Sequence, residues 1–121
     1  MFMTIHTARL FIGGEWSEAS SGEYFEVVNP ATEEVIAKVP NAGPIDMQNA
    51  IAAARSVQDN WVDKTASERA TILLTAAIIM RERSDHLAKL ITFEEGKPVA
   101  EAKGEVLYAA SFLEGVLEHP Q

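Results

Sequence analysis

The chain has 121 residues and a mass of 13.2 kDa, enough for one domain of ordinary size. It is 47% hydrophobic and 23% charged, which excludes a disordered or collagen-like chain. Ten Lys and Arg against 18 Asp and Glu leave a net charge of −8, a poor match to a phosphate backbone, and no cysteine is present.

The first forty residues read as strands. Leu10-Phe11-Ile12 and Glu15-Trp16 flank Gly13-Gly14, and a primed two-residue turn needs the positive φ that glycine supplies without a Cβ clash. A hairpin is expected there. Residues 19–22 form the next loop. Tyr24 to Val28 and Glu34 to Val39 are two β-branched runs, separated by Asn29-Pro30-Ala31-Thr32-Glu33. Pro30 removes a ladder donor, so this stretch is a connection.

After Pro40 the apolar period changes from two to 3.6. Asn41-Ala42-Gly43-Pro44 starts a helix with Asp46 in its first turn, and Ala50, Ala54, Val57 and Trp61 make one stripe along it. Thr65-Ala66-Ser67-Glu68 is a capping box opening a second helix that runs to about Arg83. Ser84-Asp85 is expected to cap a third, carrying Leu87, Leu90 and Ile91, that ends at Gly96. Pro98 starts a fourth, with Val99, Ala102, Val106, Ala110 and Leu113 on one face. The second helix has only two polar residues, Thr71 and Thr75, over residues 70–80. A helix apolar nearly all round must be covered on most sides.

The chemistry-bearing residues do not assemble into a catalytic pattern. Gly96-Lys97-Pro98 lacks the first glycine and the hydroxyl of a phosphate-binding loop, since Ile91 and Pro98 stand in those places. His6, His86 and His119 share no metal-ligand spacing and read as solvated surface histidines. Ser20, Ser21 and Ser67 have no His and Asp partners in a nucleophile pattern. The absence of cysteine removes a thiolate nucleophile, a disulfide and a thiolate metal site, and fits a reducing compartment. Glu94 and Glu95 stand at the unfavourable end of a helix dipole. Adjacent helical residues point about 100° apart, so they are no matched acid–base pair; either Lys97 balances them, or one meets a cation or a further part of a larger protein. Glu101, Glu105, Glu114 and Glu118 mark a solvated or interfacial face. The apolar runs are too short to span a bilayer, and residues 1–10 hold no apolar signal region, so a cytoplasmic protein is expected.

Phe11-Ile12-Gly13-Gly14-Glu15-Trp16, then Val28-Asn29-Pro30-Ala31-Thr32, then Glu95-Gly96-Lys97-Pro98 stand in that order around two amphipathic helices. This arrangement resembles the N-terminal quarter of the aldehyde dehydrogenase superfamily, from about Leu10 to Glu114. The run from Glu95 to Glu105 and Tyr108-Ala109-Ala110-Ser111-Phe112-Leu113-Glu114 are similar to the succinate-semialdehyde dehydrogenase branch. The resemblance implies an α+β chain. Short antiparallel β-hairpin elements over 1–40 precede four helices over 44–121, as a single partial domain of residues 1–121.

For a full member the resemblance implies oxidation of an aldehyde to an acid with NAD or NADP. A cysteine thiolate attacks, hydride passes to the cofactor, and a glutamate-activated water releases the product. All of those groups lie downstream of the matched region, so no catalytic or cofactor-binding residue carries over and the chain alone is expected to be inactive. Some members hold a structural monovalent cation, and the matching positions here are the Val28 carbonyl and Glu94. Two departures stand out: Glu33 replaces the glycine usual after Thr32, and Gly115 interrupts the last helix shortly before the end. The second points to a truncated, frameshifted or split gene product. The alternative is a non-catalytic interaction or oligomerisation module, or a pseudoenzyme remnant. Its partner would be a second copy or the missing remainder of the enzyme, with no nucleic acid and no membrane.

Overall fold

The computed structural model describes residues 6–115, so Glu118 and His119 lie outside the described residues. The chain divides into two compact units, residues 1–60 and residues 61–121.

Among the described residues, the first unit carries all the strands. β2 (Leu10–Ile12) and β3 (Glu15–Ser17) pair antiparallel with Phe11 opposite Trp16. Gly13 and Gly14 make the turn at φ 63° and 85°, as the hairpin expectation required. The Phe11 and Trp16 rings stack across the pair at 4.7 Å. β4 (Tyr24–Val28) and β5 (Val35–Pro40) form the second antiparallel pair, with a register shift at Val27/Val28. Sequence reasoning missed a third strand, β1 (His6–Thr7), which pairs parallel with β5 and makes β5 the centre of a three-stranded sheet. Two residues carry no readable alternation.

The β4–β5 connection is built on Asn29, which is buried. Its side chain accepts from the Ala31 N–H at 2.9 Å, and its carbonyl accepts from Glu33 N–H at 2.8 Å. Closing this turn places Glu33 at φ 59°, in the left-handed region that disfavours a Cβ. The position where relatives of this pattern usually carry glycine is therefore a position that glycine fits.

α1 (Pro44–Val62) follows directly on the sheet. Its Ala50 and Ala53 are half-buried, whereas Val57 and Trp61 of the expected stripe stay exposed.

The second unit contains α2 (Ala66–Glu82), α3 (Ser84–Glu95) and α4 (Val99–Glu114). The capping box forms: Glu68 N–H donates to Thr65 Oγ1 at 3.3 Å, and Thr65 N–H donates to Glu68 Oε2 at 2.8 Å. Gly96 ends α3 at φ 78° and donates to the Thr92 carbonyl. Pro98 is the N-cap of α4 rather than its first residue. The expected Ser84-Asp85 cap does not form. Arg83 closes α2 and opens α3, leaving Ser84 buried as the first residue of α3. One residue between two helices leaves no room for a side-chain cap.

The core of this unit is small. Ala77, Ala88, Ala102 and Ala110 are 0% exposed, joined by Ala70 and Val106. Ser84, Ala88 and Thr92 recur every four residues along α3, and α3 packs on α4. Such small side chains let helix backbones approach closely. Leu73, Leu74, Leu87 and Ile91 are half-buried, and other large apolar side chains point outward. Ile72, Ile78 and Ile79 of α2 are exposed, as are Val99, Tyr108 and Phe112 of α4. The near-apolar α2 is thus covered along one side, by Ala70 and Ala77, and open along the other.

Candidate functional site

Two shallow grooves lie among the described residues. In the first unit, the Gly13-Gly14 turn and α1 residues Ala50, Ala53, Ala54 and Val57 line a groove of about 430 Å³. A Cβ added to Gly13 would meet the Ala53 Cβ at 3.6 Å, an ordinary contact, so the turn needs glycine for its φ rather than for space. In the second unit, Met80, Leu87, Leu90, Ile91 and Val106 line a groove of about 380 Å³, with Glu94 and Glu105 among its lining residues. Both walls are mainly apolar, and neither carries the converging polar groups of a catalytic cleft.

Seven charged residues of the second unit are joined in ion pairs. Lys97 meets Glu105 at 2.5 Å and Glu95 at 2.7 Å, and both carboxylates, Glu105 first, hold its ammonium above the usual lysine value. Arg81 binds Glu114 through two bonds of 2.6 and 2.7 Å, which holds the Glu114 carboxyl below its usual range. Lys103 meets Asp85 at 2.6 Å and lowers its pKa likewise. Glu105 and Glu114, read from the sequence as a solvated or interfacial face, are paired at their helix surfaces, and Glu101 is exposed.

Of the two positions matched to a cation site, Val28 closes β4 in the first unit and Glu94 lies in the last turn of α3 in the second. Both are exposed, and Glu94 makes no ion pair among the described residues. Glu95, its neighbour, is the one Lys97 takes. No group of three or more His, Asp or Glu side chains converges on a metal position among the described residues. His86 is exposed on α3, and Ser67 is exposed in the first turn of α2. Ser20 bonds a carboxylate, Asp46, rather than a base. Among the described residues no helix is long and apolar enough to cross a membrane.

The sequence model of the aldehyde dehydrogenase family matches residues 16–121. This chain belongs to the aldehyde dehydrogenase family. It is 45% identical to an NADP(+) succinate-semialdehyde dehydrogenase of Escherichia coli strain K12, over 96% of this chain and 25% of that protein. It is 46% identical to a glutarate-semialdehyde dehydrogenase of Pseudomonas putida, again over 96% of this chain and 25% of the other. Among solved structures, a succinate-semialdehyde dehydrogenase from Burkholderia pseudomallei aligns with a TM-score of 0.86 and 48% identity. That alignment covers 88% of this chain and 22% of the other. The α+β arrangement is that of the N-terminal portion of these aldehyde dehydrogenases, and the chain spans about a quarter of the length of the relatives it matches.

Proposed function

We propose that the chain is the N-terminal segment of an NAD(P)-dependent aldehyde dehydrogenase acting on a succinate-semialdehyde-like substrate. The whole protein oxidises an aldehyde to a carboxylic acid, with NAD or NADP taking the hydride. The observation that carries this reading is the match of nearly the whole chain to one quarter of two semialdehyde dehydrogenases. The segment contributes scaffold. Its sequence holds no cysteine, so the thiolate that attacks the aldehyde comes from elsewhere. Its own residues supply packed alanine faces inward and large apolar faces outward, an arrangement that stabilises association. A cytoplasmic location accords with the cysteine-free composition.

The purified chain, given succinate semialdehyde with NAD+ or NADP+, is expected to produce no NAD(P)H fluorescence. Co-expression with the E. coli relative lacking its matched quarter is expected to restore turnover. Oxidation by the chain alone, or no turnover with a soluble co-expressed remainder, would overturn the reading.

A second reading, a non-catalytic module that associates with a second copy, is favoured by the exposed Ile72, Ile78, Ile79, Tyr108 and Phe112. A monomer by light scattering at high concentration counts against it. The Val28 carbonyl and the Glu94 carboxylate are hard oxygen donors suited to an alkali cation. Equal thermal stability in sodium, potassium and choline chlorides would remove that assignment.

A further inference from the structure

α1 and α2 each carry an acid at the third helical position, Asp46 and Glu68, but the two acids find their partners differently. Glu68 is served by Thr65, three residues away. Asp46 accepts from the Gly43 N–H at 2.8 Å, the equivalent half of a capping box, yet Gly43 has no side chain to complete it. The other donors come from Ser20, 26 residues away: its N–H at 2.9 Å and its hydroxyl at 3.1 Å. Asp46 is 6% exposed, so this carboxylate is satisfied by three protein donors while largely shielded from water.

We propose that Asp46 is an acid-released latch that makes the start of α1 conditional on the docking of the β3–β4 loop, whereas α2 starts on its own. The same loop touches the same junction twice more, through the Asn41 N–H donating to the Glu23 carbonyl at 2.8 Å and the Ser21 hydroxyl donating to the Asn41 carbonyl at 3.5 Å. Neither bond titrates, so the charge on Asp46 is the variable part of the junction. The neighbouring segments bring few other charges. The loop holds Glu18, which lies beside the Tyr24 hydroxyl, and Glu23. β4 holds Glu26, β5 holds Lys38, and the next charged residue of α1 is Arg55. Asp46 forms no ion pair with any of them among the described residues.

Protonation turns one carboxylate oxygen into a donor that faces the Gly43 N–H or a Ser20 donor, and the latch opens. The Gly43 N–H, then the Ser20 donors, hold the folded carboxyl below the ordinary aspartate value of about 3.9. The latch is therefore fully present above that value and is lost as pH falls through the lower folded one.

Amide exchange of the full chain, read as protection factors residue by residue, tests the latch. D46N is expected to lower protection at Ser20 and Gly43 by about tenfold, leaving Thr65 and Glu68 unchanged. E68A should do the reverse, loosening Thr65 without affecting Ser20. S20A is expected to loosen Gly43 across those 26 residues. The unsubstituted chain should lose protection at Ser20 and Gly43 on acidification below about pH 4, and D46N should show no such step. Unchanged Gly43 protection in S20A would overturn the proposal, because a purely local cap predicts that result. So would a D46N loosening confined to Gly43. Should D46N fail to fold, the S20A measurement still decides.

Discussion

Residues 6–60 are organised by buried polar groups, residues 61–115 by buried methyl groups. In the first region Asn29 shapes the β4–β5 turn and Asp46 joins the β3–β4 loop to α1. Few large side chains are sequestered there, and strand pairing with four hydrogen bonds accepted by the Asn29 and Asp46 side chains defines the geometry. In the second region alanines at helix contacts fix the approach, and the ion pairs lie on the outside. Hydrogen bonds fix direction at a point, whereas small-residue packing fixes distance along a whole helix. The first region is therefore sensitive to protons and the second to volume.

The largest expected effect comes from adding volume to the second region. Ala102→Leu places three extra carbons at a 0%-exposed helix contact, and urea denaturation should show a loss of about 1–3 kcal/mol. No loss, or a gain of stability, would mean that α4 can shift, and the alanine account would fail. Next, Glu33→Gly relieves a left-handed backbone and should raise stability by about 1 kcal/mol in the same assay. Thr92→Val comes third. The Thr92 hydroxyl is buried with no hydrogen-bond partner, and replacing it with a methyl of the same shape should stabilise by about 0.5–1 kcal/mol. Smallest is Arg81→Gln, which removes an exposed pair with Glu114. In high salt its urea midpoint should coincide with that of the unsubstituted chain, and any displacement at low salt should shrink as salt is added.

Much of this was legible in the sequence where the signal is local. Thr65 and Glu68 are three residues apart, and their box formed as read. Gly13-Gly14 and Gly96 take the positive φ that their positions required. The apolar face of α4 was read as Val99, Ala102, Val106, Ala110 and Leu113. The structure buries its middle three and leaves Val99 exposed, because that residue begins the helix. What escaped was non-local or conditional. Ser20 and Asp46 are separated by two strands and two loops, and nothing in either residue names the other. β1 depends on a partner 31 residues on and is too short to show a period. Ser84 is a good capping residue placed one step too late, because Arg83 already serves both helices. For the candidate site, the same sequence signals gave the family directly. They gave no residue of the chemistry: the sequence holds no cysteine, and the resemblance places the other catalytic groups downstream of the matched region.

The single-residue joint at Arg83 also bears on which length changes the chain can accept. A residue inserted between Arg83 and Ser84 and taken up as helix would turn α3 by about 100° about its own axis and advance it by about 1.5 Å. Ser84, Ala88 and Thr92 would swing away from α4 together, and bulkier neighbours would take their places. A four-residue insertion comes close to a full turn and restores the phase. The joint thus counts residues as a gear counts teeth. Gene variants lengthened here should be viable only in steps near the helical repeat, whereas the loop at 19–22, joined to the helix by side chains, has no such periodicity to respect.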